Sequence, residues 1–294
     1  MRSTMRLWRN VGWQLLLAGW LAGLPAAARA QVLFQEDFER LPADWNCGTG
    51  GTPPGWSQVY PGGIGCGYTP GFGYELTVGP GHNGGNALYA WKSSVLSSNW
   101  EYRSHLSSST NFAARELYTR WYMRIPPTFD KATNAGCKLW RYLSTGANAV
   151  YLQLNQYAGS TIATGAISVI LRSSTILDVL PNVQHQDDRW HAHELYLKIN
   201  DATSPPYDGV VEYWLDGVKV FEKRDADFGM SPTDTLTEIY SGFGMGNCSD
   251  SPWFMTSWTA LQLDDLVIST TGPIGPIGPA DTLAPAAPTN LTVQ

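Results

Sequence analysis

Between residues 32 and 269 apolar and polar positions alternate in short runs, the period of two that marks half-buried β-strands. The runs fall at residues 32–39, 87–92, 115–125, 138–143, 149–157, 166–172, 190–200, 209–215, 218–221, 238–245 and 261–269. Gly, Pro, Ser and Asn fill the intervals, and no stretch sustains a helical period. Asp216-Gly217 separates two of the runs, a dipeptide that suits the positive φ of a tight hairpin turn. Many strands joined by long loops, without alternating helices, predict an all-β fold: an antiparallel jelly-roll β-sandwich. Residues 31–271 have the length that such a sandwich reaches as one domain.

Residues 188–221 carry the most specific pattern, DRWHAHELYLKINDATSPPYDGVVEYWLDGVKVF. A Trp-led strand, a polar spacer and DG-x-V-E-x-W-x-DG-x-x-V follow in that order. This arrangement resembles the concanavalin A-like jelly rolls of secreted carbohydrate-active proteins, and within them the polysaccharide lyases related to heparin lyase. The resemblance implies that fold and a polysaccharide partner.

Residues 1–30 have the parts of a signal peptide: Arg2, Arg6 and Arg9, then an apolar stretch, then Ala28-Arg29-Ala30 as a cleavage site. The expected mature protein starts near Gln31, is secreted to the extracellular space or periplasm, and has no further membrane segment. The leader holds four of the 19 basic residues and none of the 25 acidic ones, so the mature balance is 15 − 25 = −10. An acidic chain without a basic cluster excludes nucleic acid as a partner, and an anionic substrate would need a locally basic cleft. A monomer is expected. Cys47, Cys66, Cys137 and Cys248 are an even set in an exported chain, which favours disulfides over metal thiolates. Pairing Cys47 with Cys66 would staple a Gly/Pro-rich loop and leave Cys137 with Cys248, one of three connectivities.

The run RELYTRWYMRI, residues 115–125, places Leu117, Trp121, Met123 and Ile125 on one face and Tyr118, Arg120, Tyr122 and Arg124 on the other. Arg binds a uronate carboxylate in bidentate fashion, and Tyr stacks or donates, so the second face suits an acidic polysaccharide. An ordinary solvated face with cross-strand ion pairs is the alternative. Lys138 and Arg141 supply two more cations, and Tyr151, Gln153 and Asn155 share a side opposite Leu152 and Leu154. If the three strands are neighbours, these groups converge with Arg120 and Tyr122.

β-Elimination at a uronate requires neutralisation of the carboxylate and a base for the C5 proton. Arg120, Lys138 or Arg141 would do the first, and Tyr122, Tyr151 or His105 the second. The substrate-binding set is then Tyr118, Lys138, Arg141, Gln153 and Asn155. His191 and His193 share the parity of Leu195, Leu197 and Ile199, that of ordinary partly buried histidines. Alginate lyases of this fold carry R-[ST]-E-L, Q-[IV]-H and Y-x-K-x-G-x-Y-x-Q strands. Residues 102–106 (YRSHL) resemble the first, Gln153-Leu154-Asn155 has Asn in place of the His of the second, and the third is missing. No E-x-D-x-x-E strand supplies the carboxylate pair of a glycoside hydrolase, so hydrolysis is disfavoured. A non-catalytic carbohydrate-binding module or lectin-like protein is the alternative to a lyase, and a structural surface protein is the third class.

The opening FQEDFE and the late LDDL resemble the paired stretches that sugar-binding jelly rolls gather around a structural Ca²⁺, which implies Glu36, Asp37 and Asp265 as ligands. Carboxylates facing solvent at a sheet edge are the plainer explanation. Past residue 271 the composition shifts to a Gly-Pro-Ile repeat, expected as a stiff linker, and APAAPTNLTVQ resembles the start of a fibronectin type III domain.

Overall fold

A computed structural model describes residues 31–46, 50–54, 56–61, 74–92, 104–108, 112–126, 137–144, 147–155, 166–180, 187–240, 243–245 and 259–277. Every element lies in the unit Val32–Gln294, apart from the unit Met1–Gln31. Among the described residues no helix is long and apolar enough to cross a membrane. The signal peptide, Cys47, Cys66 and Cys248, and residues 278–294 lie outside them.

The strands are β1 (Val32–Glu36), β2 (Trp56–Pro61), β3 (Tyr74–Pro80), β4 (Asn86–Lys92), β5 (Ser104–Ser108), β6 (Glu116–Arg124), β7 (Cys137–Ser144) and β8 (Ala147–Asn155). They continue as β9 (Ala166–Leu171), β10 (Ile176–Leu180), β11 (Trp190–Lys198), β12 (Gly209–Leu215), β13 (Val218–Ala226), β14 (Ile239–Tyr240), β15 (Phe243–Met245) and β16 (Thr259–Ser269). All pairings are antiparallel. A large sheet runs β13-β12-β11-β6-β16-β4-β3, with β1 also on β16. A small sheet runs β10-β9-β8-β7-β14, and β15-β5-β2 form a third. The protein is an antiparallel jelly-roll β-sandwich.

Alternation decides which side of each strand is buried. From β6, Leu117, Thr119, Trp121 and Met123 point inward, and from β8, Val150, Leu152 and Leu154 do. The sheets meet where Trp121 of β6 packs edge to face on Trp140 of β7, ring centroids 4.4 Å apart. Beside them the hydroxyls of Thr119 and Tyr142 are hydrogen-bonded across the core. Burial drives the Tyr142 phenol well above its ordinary pKa, so it stays neutral. The β12–β13 hairpin turns at Asp216 and Gly217 with φ of 51° and 78°, the left-handed pair that matches the twist of the flanking strands.

Residues 272–277, expected as part of a stiff linker, lie against the outer face of the large sheet. Buried Glu194 accepts from the backbone N–H groups of Ile274 (2.7 Å) and Gly275 (2.9 Å). Tyr122 Oη accepts from Ile277 N (2.7 Å) and donates to Ile277 O (3.1 Å). Gly275 has φ of 72°, which turns successive N–H groups toward one anion.

Candidate functional site

The polar groups expected to form one site belong to two faces, on opposite outsides of the sandwich. β6 pairs with β11 and β16 in the large sheet, whereas β7 and β8 pair with each other in the small one. Both β6 and β7 send a Trp into the core, so their polar sides must face away from each other. The expected convergence of Arg120 and Tyr122 with Lys138, Arg141, Tyr151, Gln153 and Asn155 does not occur.

On the large sheet the row Tyr118, Arg120, Tyr122 and Arg124 is occupied by the protein itself. Arg120 is 2% exposed. Its Nη2 donates to Asp265 O (3.2 Å), and its guanidinium lies 5.6 Å from the Tyr122 ring centroid. Burial pulls the Arg120 pKa down against the pull of Asp265 and pushes the Tyr122 phenol up. Tyr122 also stacks on His82 (3.7 Å) and holds Ile277. Tyr118 stacks on Tyr196 (4.5 Å), and Arg124 Nε reaches Asp188 Oδ1 (3.0 Å). These groups fasten loops and the 272–277 segment.

The small sheet presents the other candidate face. Its core-facing residues Val150, Leu152, Ile167 and Val169 leave Tyr151, Gln153, Ser168 and Ile170 on the far side. Register then aligns two transverse rows. Lys138 faces Gln153, Gln153 faces Ser168, and Ser168 faces Asp178. Arg141 faces Tyr151, Tyr151 faces Ile170, and Ile170 faces Ile176. The Lys138 ammonium stands 4.8 Å and the Arg141 guanidinium 5.7 Å from the Tyr151 ring centroid. Two cations on one phenol ring make this end electropositive, and close packing leaves Arg141 and Gln153 only 8% and 7% exposed. At the other end Ser168 Oγ donates to the Asp178 carboxylate. The alternation Ile167-Ser168-Val169 and Leu177-Asp178-Val179 turns both away from the sheet–sheet core, yet Ser168 is fully buried.

Asn155 ends β8 opposite Ala166. His105 lies on β5, opposite Gly244 of β15 and Tyr60 of β2, and β15 lies against β7. β15 thus links the strand of His105 to that of Arg141. The side chains of Asn155 and His105 lie outside the described residues.

The other two histidines are built into the sandwich. His193 is fully buried, stacked on Trp121 (5.3 Å) with Nδ1 2.8 Å from Tyr213 Oη. His191 lies between two carboxylates, Nδ1 2.8 Å from Asp216 Oδ2 and Nε2 3.0 Å from Asp187 Oδ1. Burial lowers its pKa, but the two Asp partners outweigh that and hold it above the ordinary value.

β1 and β16 are neighbours, with Glu36 opposite Leu266, yet the expected calcium ligands do not share a site. Buried Glu36 accepts from Phe38 N (2.9 Å), Arg40 Nη2 (3.1 Å) and Trp56 Nε1 (3.0 Å). Asp37 caps Glu39 N (3.2 Å), and Asp265 Oδ2 faces His82 Nδ1 at 3.6 Å. Among the described residues no three His, Cys, Asp or Glu side chains gather as a metal site. Glu36, committed to three donors, does not fit a cation ligand.

No protein-family model and no curated protein matches the sequence. Solved structures do. The chain is similar to the endo-β-1,4-glucuronan lyase of the fungus Trichoderma reesei, with a TM-score of 0.52 at 12% identity over 82% of this chain and 96% of that one. It is also similar to the cellulose-induced protein Cip1, with a TM-score of 0.49 at 12% identity over 81% and 97%. A PL-14 alginate lyase from Aplysia kurodai follows at 0.44 and 9% identity over 66% and 86%. At such identities the likeness is one of fold, and the jelly-roll β-sandwich is what this chain shares with the glucuronan lyase.

Proposed function

We propose that the protein is a secreted, concanavalin A-like polysaccharide lyase that cleaves uronate-containing glycans on the outward face of the small sheet. The observation that carries this reading is the grouping of Lys138 and Arg141 about Tyr151, beside Gln153 on the same face. The fold shared with a protein named as a glucuronan lyase supports it. In the reaction Arg141 or Lys138 neutralises the uronate carboxylate and makes the C5 proton acidic. Tyr151, or His105 of β5, takes that proton. The electron pair forms the C4–C5 double bond as the C4–O bond breaks, and the leaving oxygen takes up a proton. No metal or cofactor enters this scheme.

A carbohydrate-binding protein without lyase activity is the second reading, favoured by the same observation, because cations, an amide and a phenol hold a sugar as readily as they cleave it. Incubation of the purified mature protein with a panel of uronate polysaccharides separates the two. A rise in ultraviolet absorbance from the unsaturated uronate, lost in Tyr151→Phe or Arg141→Ala, establishes the lyase. Retention in affinity electrophoresis without that rise establishes the binding protein. Failure to cleave or retain any glycan would overturn both.

A further inference from the structure

Residues 272–277 rest in a cradle built from β6, β11 and the β12–β13 turn. Gly272 sits on the ring of Tyr118, where an added Cβ would come within 2.6 Å of the ring carbon Cγ. Stacking on Tyr196 at 4.5 Å holds that ring in place. The Glu194 carboxylate takes the N–H groups of Ile274 and Gly275. Gly275 adopts φ of 72°, where a side chain is strained. Pro276 closes over the turn, so that a Cβ on Gly217 would lie 3.3 Å from the Pro276 Cδ. Tyr122 Oη holds the N–H and the C=O of Ile277.

These contacts read main-chain groups, the absence of a side chain, or a proline ring. The cradle therefore specifies glycine at the first and fourth positions and suits proline at the fifth, a Gly-x-x-Gly-Pro pattern that residues 272–276 meet. Buried Glu194 is directed at main-chain N–H groups, the way backbone nests capture an anion. An uncharged segment complements it. None of these contacts depends on the bound segment being continuous with β16. The hydrogen bonds that hold it are few, those of Ile274, Gly275 and Ile277, so the chain's own segment is an exchangeable occupant.

We infer that the cradle is a recognition site for uncharged Gly-Pro-x repeat segments, and that it takes such a segment from another polypeptide in exchange for residues 272–277. The partner is an extended chain with glycine at every third position, which presents the pattern repeatedly and so competes with the single copy held in place by linkage. The site lies on the sheet opposite the proposed glycan face and does not rest on that reading.

The test uses the full mature chain carrying Gly272→Ala and Gly275→Ala, both beyond the last strand, so that its own segment no longer fits. The probe is a synthetic peptide of sequence TGPIGPIG, followed by NMR titration. The double variant is expected to bind it, with shifts at the amides of Tyr118, Glu194 and Gly217. Wild type, whose own segment competes, should bind about tenfold more weakly, and so should peptides with alanine at the first or the second glycine bind the double variant. No binding to the double variant overturns the inference. Equal binding of the alanine peptides, or of wild type, overturns it too, because the peptide is then held without the glycine pattern or away from the cradle. If the double variant does not fold, wild type decides: excess peptide should accelerate amide exchange at Ile274 and Gly275, and unchanged exchange overturns the inference.

Discussion

Trp121 on the large sheet and Trp140 on the small one meet edge to face, with ring centroids 4.4 Å apart and planes at 88°. Both side chains are fully buried, and His193 stacks on the far face of the contact. The pair is the central fastening between two sheets that, among the described residues, share no backbone hydrogen bonds. Trp140→Ala should therefore destabilise the fold by about 3–5 kcal/mol, the range for truncating a large buried aromatic. Denaturant unfolding measures this. A loss below about 1 kcal/mol would mean that the walls close over the cavity.

The same pair explains which parts of the architecture the sequence discloses. Alternation locates β6, β7, β8 and β11 because one side of each is buried, and it identifies Leu117, Trp121, Leu152 and Leu195 as inward. Partnership between strands is not in that signal. β6 finds β16 far along the chain, with Met123 opposite Leu263, and no local pattern encodes so long a closure. Nor does alternation tell the polar face of one sheet from that of the other, since Arg120 and Arg141 have the same polarity and parity. The covering segment escapes notice too, because it attaches through backbone N–H groups to Glu194 and Tyr122 rather than through patterned side chains. Asp178 lies in β10, a five-residue strand too short to stand out beside the longer runs.

Attachment of residues 272–277 depends on two side chains. Tyr122→Phe removes the hydroxyl that serves both the N–H and the C=O of Ile277, at a cost of about 1–2 kcal/mol. Amide exchange at Ile274, Gly275 and Ile277 should accelerate in this variant and in Glu194→Gln. Gly275→Ala should act similarly, because a Cβ is strained at φ of 72°. Glycan binding at the small-sheet face should be unchanged in all three. Loss of glycan binding in Tyr122→Phe would restore the large-sheet face as the site.

The clamp of Asp187, His191 and Asp216 makes stability depend on pH. Burial opposes the charged imidazole, but the two carboxylates prevail, so the folded pKa lies above the unfolded one. A group of this kind stabilises fully below its unfolded pKa, about 6.5, and loses that contribution as pH rises through the raised folded value. Asp187 is shifted downward in return, its hydrogen bonds to His191 and Arg189 outweighing burial. Unfolding midpoints should fall as pH rises from near 6 into the alkaline range, and His191→Gln should flatten that slope. An equal slope in the variant would place the pH dependence elsewhere.

Two cations in equivalent sequence settings should respond in opposite ways. Lys138 stands over Tyr151 on the small-sheet face, whereas Arg120 is buried under the large sheet's own loops with Nη2 on Asp265 O. Lys138→Met keeps much of the apolar stem and removes the charge, so it should weaken binding of an acidic glycan about fivefold to tenfold while leaving the unfolding midpoint nearly unchanged. The difference from wild type should shrink as added salt screens the attraction. Arg120→Met should do the reverse, lowering stability by about 1–3 kcal/mol through the lost hydrogen bond to the partly buried Asp265 carbonyl and leaving affinity as it was. Titration of each variant with the same glycan, alongside a denaturant melt, separates the two faces. If affinity follows Arg120 rather than Lys138, the small-sheet assignment is wrong.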